Sequence, residues 1–205
     1  AENNKIHDTG TGGGQKQGIT IGGCGNRASH NHIYNIPTHG INGGGMEIII
    51  EYNVVERTNL EMGNTGAIYF LNYGMGYGTK IRYNLIRDSV GLMPIPGFSG
   101  EGALGIYLDD VTSGVEVYGN LVMHCKERAI FSHGGRYNKI YNNIIIGCDG
   151  GVSIIKTSIS KSIAEGGVVE TNIKTFPYDE EPMKSKYPQV AQSLSDGFGE
   201  PKYVE

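Results

Sequence analysis

The chain has 205 residues, of which 33 are glycine; that is more than twice the average share of about 7% and excludes an architecture of long helices, while the lack of a Gly-X-Y period excludes collagen. Seventeen Lys and Arg stand against 21 Asp and Glu, a net charge of −4, and no basic cluster is present, which argues against nucleic acid as a main partner. No apolar run approaches the roughly 18 residues of a membrane-spanning helix, and with 38% hydrophobic and 19% charged residues the chain has the means to bury a core.

Read from the N-terminus, one motif returns again and again, an asparagine followed by aliphatic residues. It stands at Asn4, Asn31, Asn53, Asn84, Asn120 and Asn143, with spacings of 27, 22, 31, 36 and 23 residues. This is a base unit of about 22 residues with insertions. Two places beyond each asparagine stand Ile6, Ile33, Val55, Ile86, Val122 and Ile145. A second column follows, in which a small residue precedes an aliphatic one: Gly18-Ile19, Gly40-Ile41, Ala67-Ile68, Gly105-Ile106, Ala129-Ile130 and Gly151-Val152. A third, three places before the later asparagines, is Ile50, Ile81, Val117 and Ile140. Short β-branched strands joined by Gly and Asn turns, with no helical period, predict a parallel β-helix of about six coils over residues 1–156.

Stacking coils about 4.8 Å apart brings like positions together. The asparagines then form a ladder whose amides bond to one another, a scaffold and not a site. Glu56 is expected to pair with Arg87, and Arg57 with Asp88, across neighbouring coils. Cys125 and Cys148, each five places after a ladder asparagine, become neighbours and are expected to be packed thiols; Cys24 is the third cysteine, and the three make neither a zinc spacing nor a disulfide framework. His30 and His32 are expected on one face of a strand, turned to solvent.

Residues 157–205 break the pattern. They hold four of the seven prolines and a net charge of −3, and are expected to form an irregular tail that folds back on the β-helix and covers its last coil. Lys186 to Leu194 is expected as its short helix, with Pro188 near the start. At the other end Ile6 and Ile19 are already core positions. The expectation there is that another chain, or the rest of a longer protein, covers the first coil, and that the 205-residue chain self-associates.

Loops on a rigid scaffold carry function, and the longest insertions, Met62 to Gly66, Asn72 to Thr79 and Val90 to Leu104, flank the strand Gly105-Ile106-Tyr107-Leu108-Asp109. Period-two alternation turns Ile106 and Leu108 inward and Tyr107 and Asp109 outward. In register the outward column reads Thr20, Asn42, Tyr69, Tyr107, Phe131 and Ser153, with His133 one coil from Asp109. Aromatic rings beside an acid pair, Asp109-Asp110, compose a sugar-binding cleft, with carboxylates for the glycosidic oxygen and the anomeric carbon. The alternative is that Asp109 and Asp110 only close the strand in an Asx-type turn.

The run Gly105 to Asp110, with Ser113-Gly114, Val117-Tyr118-Gly119-Asn120, His133-Gly134-Gly135-Arg136 and Asn142-Asn143, resembles the catalytic β-helix of a group of secreted bacterial glycoside hydrolases that includes α-fucosidase and xylanase activities. The similarity starts near Gly66 and includes Phe176-Pro177-Tyr178 and Lys186-Tyr187-Pro188. It implies an all-β, single-stranded right-handed parallel β-helix of pectin-lyase-like fold, a polysaccharide or oligosaccharide partner, and a secreted or periplasmic location. It also implies a chain representing the C-terminal portion of a longer enzyme. Asp109, Asp110 and His133 are the expected catalytic side chains, and Tyr69, Tyr107, Phe131, Arg136 and Glu101 the expected substrate contacts. Related sequences usually read Asp-Gly-Gly-Ala-Ile-Tyr where this chain has Asn64-Thr65-Gly66-Ala67-Ile68-Tyr69. If the second carboxylate belongs there, Asn64 can neither donate a proton nor attack. The competing functions are a polysaccharide lyase using His133 and Arg136 and a non-catalytic glycan-binding or structural β-helix. No cofactor motif is present and no metal site is expected, with calcium left open.

Overall fold

The structure is a computed structural model that describes residues 1–10, 16–91, 102–155, 166–177 and 179–195. Within them the chain winds through three parallel sheets. The first collects Lys5–His7 (β1), His32–Tyr34 (β4), Val54–Thr58 (β7), Leu85–Ser89 (β10), Leu121–Met123 (β13) and Ile144–Ile146 (β16). The second collects Ile19–Ile21 (β2), Ile41–Gly43 (β5), Thr65–Leu71 (β8), Ala103–Asp109 (β11), Arg128–His133 (β14) and Gly150–Ile155 (β17). The third holds Arg27–Ser29 (β3), Ile49–Glu51 (β6), Lys80–Arg82 (β9), Glu116–Tyr118 (β12) and Lys139–Tyr141 (β15). Each coil takes one strand from each sheet in turn, so five coils are complete and β16 and β17 open a sixth.

All three aliphatic columns stack in the expected register. Ile6, Ile33, Val55, Ile86, Val122 and Ile145 pair in sequence, as do Ile19, Ile41, Ile68, Ile106, Ile130 and Val152, and Ala28, Ile50, Ile81, Val117 and Ile140. Apart from Val152 in the last coil, these columns form one continuous core. A fully buried aliphatic side chain is worth about 1.5–3 kcal/mol, and the strands are too short to hold a sheet without that core.

The asparagine ladder satisfies the polar groups at one corner of the stack. Each side-chain amide donates to the Oδ1 of the asparagine in the next coil, from Asn4 to Asn31 and on to Asn143, at 2.9–3.0 Å. The same Oδ1 accepts the backbone N–H of the preceding ladder asparagine at 3.0–3.1 Å. The second amide hydrogen reaches back to a main-chain carbonyl, as from Asn53 to Ala28, Asn84 to Ile50 and Asn120 to Ile81. A corner that would leave an N–H and a C=O unpaired in each coil is thereby saturated.

The outer charge pairs follow the register in part. Arg87 bonds Glu56 through Nε at 2.5 Å, and His32 and Arg57 reach the same carboxylate. Arg57 does not pair with Asp88. Its φ of 48° turns it toward the preceding coil, where Nε donates to Asn35 Oδ1 at 2.8 Å, and Asp88 faces His124 at 3.4 Å. His30 and His32 do not share a strand face either. The corner between β3 and β4 separates them, so His30 stacks on Tyr52 while His32 meets Glu56.

The described part of the tail holds three helices, Val168–Thr175 (α1), Met183–Lys186 (α2) and Pro188–Ser195 (α3). The last matches the expected short helix, starting two residues later and ending one later, with Pro188 at its first position, where a missing N–H costs nothing. Val169, Tyr187 and Val190 join Met46, Met75, Tyr77 and Val111 in a second apolar cluster. Glu47 accepts hydrogen bonds from Lys186 Nζ at 2.6 Å and Tyr187 Oη at 2.9 Å. The described tail therefore folds back along the side of the stack and not over its last coil. In that coil Ile144 stays 61% exposed and Val152 47%. The reason is chemical: methionine and tyrosine side chains beside β5, β8 and β11 offer a deeper apolar seat than a single edge coil.

Asn84 sits mid-ladder and is buried. Asn84→Ala strands the Asn53 main-chain N–H, one hydrogen of the Asn53 side-chain amide and the Ile50 carbonyl, and is expected to cost about 2–4 kcal/mol. Asn4→Ala, at the exposed end, should cost under about 1 kcal/mol. Urea denaturation with an unchanged m-value measures both, and equal losses would show the ladder to be incidental.

Candidate functional site

The strand β11 delivers Asp109 to the outside of the coil and then turns sharply. Asp110 and Val111 take φ values of 34° and 54° in succession. A β-branched residue in the left-handed region is an outlier that costs on the order of 1–3 kcal/mol. The turn is held by Asp109, whose Oδ1 accepts the Asp110 N–H at 2.7 Å and whose carbonyl accepts Thr112 N–H at 3.0 Å and Oγ1–H at 2.6 Å. So the acid pair does close the strand in a tight turn, but not in an Asx turn, since the Val111 N–H donates to the His133 carbonyl, and Oδ2 takes no part in it.

The Asp109 carboxylate also meets neighbouring coils. Tyr69 Oη, one coil below, donates to Asp109 Oδ2 at 2.7 Å. His133, one coil above, places Nδ1 3.0 Å from Asp109 Oδ1 and 3.8 Å from Asp110 Oδ1. The expected meeting of Asp109 and His133 on one face is thus observed. Burial pushes the Asp109 carboxyl pKa up, but hydrogen bonds from His133, Tyr69, Tyr107 and the Asp110 N–H outweigh it and hold the pKa below the usual carboxylate value. Asp110 is shifted the opposite way, by burial and then by the charge of Asp109, with His133 opposing. Two adjacent carboxyl groups are therefore driven apart in proton affinity.

Asp109 closes one wall of a cleft of about 620 Å³. Thr20, His39, Asn42, Met62, Asn64 and Tyr69 are among its other lining residues. Asn64 adopts φ 51°, a conformation asparagine tolerates, and its buried Oδ1 has no hydrogen-bond partner among the described residues. His39 escaped sequence reasoning. Its ring is 5% exposed, stacks on Tyr69 at 4.3 Å and sets Nδ1 3.2 Å from the Gly66 carbonyl oxygen. Burial pushes its pKa down to about 4, so the imidazole is neutral at neutral pH. The signal was present, since His39 precedes the Gly40-Ile41 bend and so falls in register beside Gly66, but a single histidine on no repeat column gives no reason to choose it.

Several expected contacts move. The aromatic column is in register and its rings touch, Tyr69 on Tyr107 at 5.3 Å and Tyr107 on Phe131 at 5.1 Å. Yet Tyr107 is 1% and Phe131 2% exposed. They pack with Leu104 in an apolar cluster of their own, and Arg128 covers the Phe131 ring at 4.8 Å. Neither offers a face to a ligand in this structure; Tyr69, partly buried, lines the cleft. Arg136 is also buried and does not line the cleft; its main chain is fixed in the turn, accepting from Gly114 N–H at 2.8 Å and donating to Ser113 Oγ at 3.0 Å. The Asn72 to Thr79 loop gives Met75 and Tyr77 to the tail cluster and walls no part of the cleft, whereas Met62 to Thr65 does. Glu101 lies outside the described residues.

Asp109, Asp110 and His133 bring ligand atoms within 4.8 Å of one another. That set is able to hold a cation, and its imidazole nitrogen suits a transition ion better than calcium, which takes 6–8 oxygens.

The opposite shifts give opposite stability effects. Asp109, with a lowered folded pKa, contributes stability above the ordinary value of 3.8 that is lost as pH falls through the folded pKa. Asp110, with a raised folded pKa, contributes stability below 3.8 that is lost as pH rises through the folded pKa. At pH 7 Asp109→Asn is expected to destabilise by about 1–3 kcal/mol, whereas Asp110→Asn should raise the melting temperature. The Asp109 difference shrinks as pH falls below 3.8 through its lowered folded pKa, and the Asp110 difference shrinks already as pH falls through its raised folded pKa toward 3.8. Thermal denaturation across pH reads them, and equal effects of the two substitutions would contradict the assignment.

Neither a curated protein nor a solved structure matches this chain. A family model described as the right-handed beta helix region matches residues 1–166, which span the whole coil stack. With its three parallel sheets wound coil on coil, the chain belongs to the right-handed β-helix family, which pectin lyases, glycoside hydrolases and other proteins share.

Proposed function

We propose that the chain is a carbohydrate-active β-helix that hydrolyses a glycosidic bond in a neutral polysaccharide outside the cytoplasm. The observation that carries this reading is the split environment of Asp109 and Asp110. Adjacent carboxyl groups whose surroundings push their pKa values apart supply an acid and an anion in one site. Asp110 adjoins the cleft-lining Asp109 and does not itself line the cleft; disposed to keep its proton, it is assigned the protonation of the leaving glycosidic oxygen. Asp109, held ionised, lies against the positive charge that develops at the anomeric carbon. Tyr69 and His133 orient Asp109, and Asn64 and His39 offer neutral polar groups to sugar hydroxyls. Asn64 takes no part in proton transfer, so both carboxyl roles fall to the adjacent pair.

The lining of the cleft favours a neutral substrate. Asp109 is its one charged residue among the described residues, and no Lys or Arg lines it. A lyase needs a cation to neutralise a uronate carboxylate, and Arg136, the expected candidate, is buried away from the cleft.

Incubation with a panel of neutral and uronate-rich polysaccharides tests the proposal, with new reducing ends and ultraviolet absorbance of unsaturated products read in parallel. Reducing ends without absorbance are expected, from neutral chains only. Asp110→Asn should lower turnover by about 10²-fold or more, Asp109→Asn likewise, while Asn64→Asp reports whether a carboxylate there adds to the rate. Unsaturated products, or full activity in both aspartate variants, would overturn the assignment. Binding without cleavage would make the cleft a glycan-binding site.

A further inference from the structure

Cys125 and Cys148 occupy the same place in successive coils, five residues beyond Asn120 and Asn143. Stacked coils set their Cα atoms about 4.8 Å apart, inside the range of about 4.4–6.8 Å that a disulfide spans. Both are free thiols in this structure, but they are not equivalent. Cys125 is buried in the core at 1% exposure, and Cys148 is half-buried in the last coil. The Cys125 N–H donates to Cys148 Sγ at 3.3 Å. The contacts of Cys148 Sγ with the carbonyl oxygens of Ile146 and Val122, at 3.8 and 3.9 Å, are long and weak.

We propose that Cys148 and Cys125 are a redox-active pair in which Cys148 is the attacking sulfur, a low-molecular-weight disulfide is the oxidant, and the product is a disulfide joining the fifth and sixth coils. The electrostatics agree with the geometry. Hydrogen bonds from the Cys125 thiol and then its backbone N–H lower the Cys148 pKa, with the charge of His124 adding to them against burial and Asp149. The Cys125 pKa is raised by the same thiol–thiol bond and by burial, with the charges of Cys148 and Asp88 adding and a backbone hydrogen bond from Ser89 opposing. The Cys125 N–H aimed at Cys148 Sγ, together with the lowered Cys148 pKa, is the arrangement that favours an attacking thiolate at Cys148.

The Cys148 thiolate attacks one sulfur of R–S–S–R, forming Cys148–S–S–R and expelling RS⁻, which takes up the proton Cys148 gave to solvent. The charge that held the proton on Cys125 is then gone. Cys125 releases that proton, attacks Cys148 Sγ and expels the second RS⁻, which is protonated in turn. Two protein thiols are oxidised and one disulfide is reduced to two RSH. The chemistry is independent of the cleft and suits an oxidising compartment.

Competitive alkylation with iodoacetamide, read by peptide mass spectrometry on the unmodified chain, compares Cys148 with the exposed Cys24 as an internal reference. Cys148 should react at least about tenfold faster at pH 7 and lose that advantage in Cys125→Ala. Oxidised glutathione should yield a Cys125–Cys148 bridge in the unmodified chain and a lasting glutathione adduct on Cys148 in Cys125→Ala. Labelling of Cys148 no faster than Cys24, or a lasting adduct with no bridge in the unmodified chain, would overturn the proposal. Neither of these readouts requires a variant to fold.

Discussion

The structure depends on one constraint, the in-register stacking of coils at a fixed vertical spacing. Strands of three to seven residues are too short to be stable alone, and each exists because the coils above and below complete its hydrogen bonds and bury its inward side chain. Register is then the property that must not fail. A slip of one residue would send the Ile and Val columns outward and the tyrosines inward. The asparagine ladder fixes register from the polar side, since each Oδ1 accepts from both the main chain and the side chain of its neighbour. The aliphatic columns fix it from the apolar side.

The candidate site follows from the same stacking. Tyr69, Asp109 and His133 come from three successive coils and meet only because β8, β11 and β14 lie side by side. The stack thus places a phenol, a carboxylate and an imidazole within hydrogen-bond reach without any of them being near another in sequence. Asp110 gains its different character from being the first residue past the strand, where burial and then the Asp109 charge both raise its pKa. The strained Asp110-Val111 turn is tolerated because Val111 is anchored in the tail cluster. In that way the helices of the tail support the geometry of the acid pair without touching the cleft.

How much of this was legible in the sequence depends on whether a feature repeats. The three aliphatic columns, the asparagine ladder, the Glu56–Arg87 pair and the meeting of Asp109 with His133 all follow from a period counted along the chain. What lies outside the stack has no period. The burial of Tyr107 and Phe131 depends on lateral packing with Leu104 and Arg128, which alternation along a strand does not encode. Helix α1 runs Val-Val-Glu-Thr-Asn-Ile-Lys-Thr, β-branched residues of low helix propensity that tertiary packing of Val169 overrides. His39 and the seat of the tail on Met46, Met75 and Tyr77 were hidden for the same reason, because each depends on one contact across the surface and not on a repeat.

The central claim is that two adjacent carboxyl groups hold their protons with different strength. Carbon-13 NMR of the aspartate side-chain carboxyls, assigned with Asp109→Asn and Asp110→Asn and followed from pH 2 to 8, measures this most directly. The account predicts that Asp109 titrates below the ordinary value of 3.8 and Asp110 above it, with the Asp110 transition moving down when Asp109 is neutralised. Coincident titrations near 3.8, or the reverse order, would contradict it.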